Sequence, residues 1–574
     1  MYDIIIQNGS IVDGTGKTAY LSDIAIKDGK IAKIASTIGE CATQTIDASG
    51  CFITPGFIDP HSHADLSLLA FPKNEAYTLQ GVTTQICGNC GLSAGPIGEK
   101  YWEFLCWEYD CLNETCKSIF LPYSWQSDVN AMKQAMKKYH HLDIDWISLG
   151  EFMEKAERTG FSCNYYPMSG HNHIRNAVMG KNHRPATNEE LEQMKAILRD
   201  DMEHGSNGFS TGLDYIPGRF ATFNEILELA KVAKEYNGIY ATHVRGFDPS
   251  TMEDNALYGV KEAIQICREL EIPTNLSHMH ILSGIEENGK TEKELALASL
   301  KELERGWKEE RLPIMFDVIS NADGGGSTIP YLINFLRPWI VLCGSIDAFF
   351  EKLEYDDFIT MMQEQIDQKK TMMLSIPNIE NNIYVIENQK HSYHQKLSSI
   401  MKEKNKNLLM TILSIVKEDP FTTIKFLCEG GEDAVSILLN SERAMPSSDG
   451  FAFDLSTVLD LAAPLNRMPH PNNYQYAIRY LTLYGPERFE DKIHKMTEQV
   501  ATFFQIKNRG VLKEHYWADI VILNKDNLRA NTDSIHGGKA PDGIEYVIIN
   551  GKIAAKQKQH TGILAGKVLR RNDE

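Results

Sequence analysis

Short apolar runs that halt at small or polar residues recur along most of the chain, and between them apolar positions fall at helical spacing. Eight runs stand out: "FITPGFIDPHSH", "GVTTQICGNCG", "CNYYPMSGH", "NGFSTGLDY", "GIYATHVRG", "PTNLSHMHILSG", "PIMFDVISN" and "RAMPSSDG". A strand signal alternating with an amphipathic helical signal predicts βα units. Eight of them predict an α/β fold, a (β/α)8 barrel of the TIM type, whose chemistry collects at the C-terminal strand ends. The polar residues of the runs fall at those ends. In "TNEELEQMKAILRDDMEHG", Thr187 is the expected N-cap with Glu190 three residues on, and Leu191, Met194 and Leu198 repeat on one face.

The two ends of the chain share another texture. "DIIIQNGSIVDG", "DIAIKDGKIAKIAS" and "QTIDASGCFITPG" near the start, and "ADIVILNKDNL" and "IEYVIINGKIAAK" near the end, are β-rich runs broken by Asn-Gly or Asp-Gly. Such dipeptides predict hairpin turns. Because short strands cannot bury a face alone, both ends are expected to build one small β-sandwich domain. The expected division is 1–57 for its first part, 58–490 for the barrel and 491–574 for the remainder. About 120 residues separate the seventh and eighth runs, too many for a bare loop, so a helical insertion is expected around 330–440.

Composition narrows the function classes. The 574 residues exceed what one small core fills. A net charge of −19 disfavours a nucleic-acid backbone or an anionic membrane as the main partner, which points to a small molecule. No uncharged apolar stretch reaches the roughly 18 residues of a membrane helix. "MYDIIIQNGS" does not have the basic-then-apolar form of a signal peptide, so a cytoplasmic location is expected. Eleven scattered cysteines suggest reduced thiols. The pattern is silent on oligomeric state.

His61 and His63, two residues apart, share a face on a regular strand and are either a metal-gripping pair or two solvated neighbours. Cys87 and Cys90 form a Cys-x-x-Cys without a second such pair, which weakens a zinc ribbon; Cys87 is expected in the core and Cys90 at a strand end. His243 and His278 close the fifth and sixth runs, so four histidines and a cysteine converge on one barrel mouth, a donor set suited to zinc. Asp449 ends the eighth run, beside the first in a closed barrel, and is either a general base or a turn residue.

Taken together, "GFIDPHSHAD", "GVTTQICGNCGLS", "NYYPMSGHNHIRNAVMG", "GFSTGLDYIPGRFAT", "IYATHVRG", "LSHMH", "SSDG", "HPNNY" and "NRGVLKEHYWADIVI" resemble the N-acyl-D-amino-acid deacylase (D-aminoacylase) branch of the amidohydrolase superfamily. The resemblance implies a tight zinc held by Cys90, His243 and His278, and a weaker second site at His61 and His63 that shares Cys90. It implies Asp449 as the base and Tyr215 as a donor to the tetrahedral oxyanion, although a packed aromatic is the alternative for Tyr215. Three substrate handles depart from the family pattern. His280 stands where a lysine is common, "FDVISNADGGG" lacks both tyrosines of the strand-seven motif, and His470-Pro471-Asn472 replaces His-Pro-Arg. Arg245 is the nearest remaining candidate for a carboxylate clamp, or else a structural partner of acidic neighbours.

The expected activity is zinc-dependent hydrolysis of a C–N amide bond outside peptide chains, best matched by an N-acyl-D-amino acid. A cyclic amidase of the hydantoin or dihydropyrimidine type is the alternative, weakened because "GFSTGLDY" carries no lysine to bridge two metals. A catalytically silent barrel acting through protein contacts is the third reading.

Overall fold

The structure is a computed structural model that describes residues 1–65, 67–97, 137–138, 140–180, 182, 184–214, 217–251, 255–279, 290–324, 331–343, 346–368, 374, 378–426, 430–455, 470–531 and 538–572. The chain opens with β1 (Tyr2–Ile11), β2 (Tyr20–Lys27), β3 (Lys30–Ala35), β4 (Ala42–Asp47) and β5 (Phe52–Pro55). Asp28-Gly29 turns β2 into β3 with φ of 51° and 79°, as its sequence predicts. Asn8-Gly9 does not turn the chain. β1 pairs with β2 on both sides of it, with a register shift between Ile6 and Gly9, so Asn8 at φ 64° makes a bulge.

The barrel follows as β6 (Phe57–Asp59), β7 (Val82–Ile86), β8 (Asn164–Tyr166) with its continuation β9 (Ser169–Gly170), β10 (Gly208–Gly212), β11 (Ile239–His243), β12 (Thr274–Leu276) and β13 (Ile314–Ile319). Its eighth strand comes after an insertion containing β14 (Ile383–Glu387), β15 (Ser392–Lys396) and β16 (Ile424–Phe426), and is β17 (Ala444–Ser447). Neighbouring strands pair in parallel within two arcs, β6-β7-β8 and β9-β10-β11-β12-β13-β17. The ring closes at its mouth, where Ser62 bridges Gly450 and the Asp449 amide donates to the His61 carbonyl at 3.0 Å. The first apolar run thus serves two sheets. It divides at Gly56, where a side chain would sit 2.2 Å from Thr83 Oγ1, and Pro55 stays in the terminal sheet while Phe57 enters the barrel.

Thr187 caps the helix Asn188–Glu203 in a reciprocal box with Glu190, with Met194 and Leu198 buried and Leu191 half-buried. The insertion between β13 and β17 has its own core, including Leu332, Trp339, Phe349, Met362, Ile383 and Ile412. After β17, the short helix Glu498–Phe503 brings Val500, Ala501 and Phe504 against Ile58, Ile86, Ile239 and Met445 from the barrel interior. The chain then rejoins the terminal sheet through β18 (Ile520–Leu523), β19 (Ile544–Ile549), β20 (Lys552–Lys556) and β21 (Gln559–His560), with β18 beside β5. The Ile31 amide donates to the Tyr516 carbonyl, so the nine-stranded network curls back on itself around Ile4, Ile6, Ile24, Ile26, Ile53, Ile520 and Ile522. Among the described residues no helix is long and apolar enough to cross a membrane.

Candidate metal centre

Strands β6, β7, β11, β12, β13 and β17 each deliver one or two polar groups to the mouth. Beyond β6, His61 and His63 are both buried, their rings 5.2 Å apart. Beyond β7, Gly88 adopts φ 79° where a side chain would lie 2.0 Å from the Met168 carbonyl oxygen, and the tight loop this permits carries Cys90 over the opening. The Cys90 Sγ lies 3.3 Å from His61 Nε2, 3.2 Å from His278 Nε2 and 3.9 Å from His243 Nδ1. His243 Nδ1 and His278 Nε2 are 2.9 Å apart. Asp449 Oδ1 faces His63 Nε2 at 3.1 Å and His61 Nε2 at 3.5 Å.

Three of these residues hold unusual backbone: φ is 54° at Cys90, 30° at His278 and 49° at Asp449. Left-handed backbone at non-glycine residues is costly and persists where the surroundings enforce it. For His278 the enforcement is visible, because Asp317 Oδ1 accepts its backbone N–H at 2.9 Å.

Asp317, fully buried on β13, is the group that sequence reasoning missed. Its Oδ2 faces His61 Nδ1 at 3.3 Å and accepts from Asn275 Nδ2 at 2.7 Å, so one carboxylate orients the His61 ring and fixes the His278 backbone. Its signal was an acid placed mid-strand in the seventh run, facing the barrel interior by strand alternation.

The electrostatics are those of mutually dependent buried charges. Burial pushes the Cys90 thiol up, but the imidazoles of His61 and His278 outweigh it and hold the thiol well below its ordinary range. Burial raises and imidazoles lower the carboxyls of Asp449 and Asp317, with a net lowering in both. His63 is held up at about 9: burial opposes its charge, and the bonds to Asp449 and Cys90 overcome that. Cys87, by contrast, is buried and its thiol is pushed well up by that burial, so it fits the expected core role.

The donor set fits a divalent zinc-like cation. A tetrahedral ion with sulfur at about 2.3 Å and nitrogen at about 2.0–2.1 Å separates those donors by roughly 3.6 Å. The Cys90 separations of 3.2 to 3.9 Å bracket that value. His61, His63 and Cys90 form a second such group, and Nδ1 of His63 is buried without a hydrogen-bond partner among the described residues.

The fold therefore brings together six residues singled out from sequence, Cys90, His243, His278, His61, His63 and Asp449. Arg245 requires a correction. Its buried guanidinium is committed to Glu262 at 3.0 Å and to the carbonyls of Arg219 and Ala221, which leaves it a structural partner rather than a carboxylate clamp. Tyr215 and His280 lie outside the described residues.

Residues 44–311 match the amidohydrolase family model. The chain is 25% identical to D-aminoacylase of Alcaligenes xylosoxydans xylosoxydans over 99% of its length and 98% of that protein's. It is 26% identical to N-acyl-D-aspartate deacylase of the same organism, over 96% of this chain and 91% of that one. Among solved structures, N-acyl-D-glutamate deacylase of Bordetella bronchiseptica, complexed with zinc and a phosphonate inhibitor, superposes with a TM-score of 0.71 at 22% identity, covering 99% of both chains.

Proposed function

Because the chain belongs to the amidohydrolase family, we propose that it is a zinc-dependent hydrolase of a linear C–N amide, with an N-acyl-D-amino acid as substrate. The observation that carries this reading is the placement of Cys90 Sγ 3.2 Å from His278 and 3.9 Å from His243, with Asp449 facing the same pocket through His61 and His63. Cys90, His243 and His278 would hold the tighter zinc, and His61 and His63 with Cys90 a weaker one. When bound, zinc lowers the pKa of water to about 7 and polarises a carbonyl oxygen.

This chain's own residues supply the rest. Asp449 takes the proton of the attacking water on its carboxylate and returns it to the leaving nitrogen, the step a poor amine leaving group requires. An ordinary carboxylate is ionised near neutral pH, the basic form that the first transfer needs. Tyr215 is retained as donor to the tetrahedral oxyanion and His280 as a substrate-side contact, on sequence grounds. The relatives named D-aminoacylase and N-acyl-D-aspartate deacylase support the acyl-D-amino acid class.

One observation favours a second reading. With the Arg245 guanidinium engaged by Glu262 and Asn472 in the place of an arginine, neither position offers a cation to a substrate carboxylate, which favours an uncharged cyclic amide. The deciding experiment is a hydrolysis screen of N-acyl-D- and N-acyl-L-amino acids beside hydantoins and dihydropyrimidines, using zinc-loaded protein with Asp449→Asn as control. Release of D-amino acids is expected. Turnover of cyclic amides alone would replace the first reading by the second, and no turnover with no retained metal would leave the silent barrel.

A further inference from the structure

The opposite end of the barrel holds a cavity of about 390 Å³, far from the histidines. Its walls are the approaches to β10 and β11, at Asn207 and Asn237; the turn after the helix Glu498–Phe503, from Phe504 to Lys507; and the C-terminal tail, which runs beside β8. The tail is anchored there by Tyr165, whose amide donates to the Lys567 carbonyl at 2.9 Å and whose carbonyl accepts the Leu569 amide at 2.8 Å.

Among the described residues, five cationic side chains line this cavity, Lys507, Arg509, Lys567, Arg570 and Arg571, and none of the lining residues is acidic. That is a local reversal in a chain of net charge −19. Arg509 is braced by Asp519 and by Asn550 Oδ1, and Arg570 by Glu157. Arg571 lies over the Tyr236 ring at 5.4 Å, and its Nε is buried with no acceptor among the described residues. A buried guanidinium N–H without an acceptor is costly, and an anion in the cavity removes that cost. Trp517 already packs against Lys567 at 3.7 Å and Arg509 at 5.2 Å, so the site offers charge and hydrogen bonds rather than an open aromatic platform.

We propose that this cavity, walled jointly by the barrel floor and the C-terminal tail, binds a small oxyanion carrying two or more phosphate or carboxylate groups. Forked guanidinium groups and lysines suit that chemistry, and the volume lies within the range of small-molecule sites while exceeding what a single inorganic ion fills. Because one wall is the tail and the other the barrel, the anion joins them and stabilises the folded chain by mass action. Anion binding at this end is independent of the reaction proposed for the mouth.

Calorimetric titration and thermal unfolding with pyrophosphate and with citrate test it, on wild-type protein and on Lys507→Ala/Arg571→Ala. Saturable binding that raises Tm, weakens with added salt and falls at least tenfold in the double variant is expected, with amide hydrolysis unchanged by the variant. The anion that binds more tightly identifies the phosphate or the carboxylate source. Should the double variant unfold, Lys507→Gln, at an exposed position, carries the test with an expected severalfold loss. Absence of saturable binding of either anion, or equal affinity in wild type and variant, overturns the proposal.

Discussion

The terminal sheet and the barrel mouth are built on opposite terms. In the sheet, isoleucines such as Ile24, Ile26, Ile53 and Ile520 are fully buried against one another, and local pattern agrees with tertiary packing. At the mouth, a thiol, two carboxylates and three imidazoles are buried together beside the half-buried His243, and Cys90, His278 and Asp449 hold left-handed backbone. Where a sequence breaks local rules at such a density, the expectation is function rather than stability. Buried acids sharpen the contrast. Asp317 and Asp449 lie among imidazoles and are lowered, whereas Asp201, buried beside Ser169 away from the mouth, is pushed up to about 8 by burial.

Substitutions that separate the two regions follow, the largest effect first. Cys90→Ala should remove metal and reduce hydrolysis to background, while His61→Ala harms it less; metal analysis alongside turnover checks both, and equal losses would contradict the unequal sites. Asp449→Asn should retain metal and lower kcat by about 10²- to 10⁴-fold, the usual worth of a general base. Asp317→Asn, which loosens His61 and the His278 backbone, should weaken metal affinity or activity by about 10- to 100-fold.

In the terminal sheet the effects move to stability. Ile24→Ala should cost about 2–5 kcal/mol on unfolding and leave metal content per folded molecule unchanged. An equal loss of metal would show the regions to be coupled. The smallest effect concerns pH. A folded pKa of about 8 at Asp201, above its ordinary value of 3.8, means the folded state binds the extra proton. Its contribution to stability is therefore full below the ordinary carboxylate range and is lost as pH rises through about 8. Asp201→Asn should flatten the corresponding slope in Tm between about pH 4 and 8, and an unchanged slope would assign it to other groups.

The contrast also explains what could be read from sequence. Strand–helix alternation, the Thr187 cap and the histidines at strand ends are local patterns, and each reappears in the fold. Asn8-Gly9 looked like a turn because turns and bulges both use left-handed residues, and only the pairing with β2 decides between them. The run "FITPGFIDPHSH" looked continuous because a strand that changes sheets at Gly56 keeps its hydrophobicity. Arg245 and Asp317 escaped for a shared reason: which distant group a buried charge meets depends on packing, here Glu262 for one and His61 for the other.

Whether sulfur and imidazole from separate strands enclose one cation is tested most directly by X-ray absorption at the zinc edge of the zinc-loaded protein. One sulfur at about 2.3 Å with nitrogen neighbours at about 2.0–2.1 Å is expected, with loss of the sulfur shell in Cys90→Ser. A zinc shell of oxygen and nitrogen alone in the wild-type protein would contradict it.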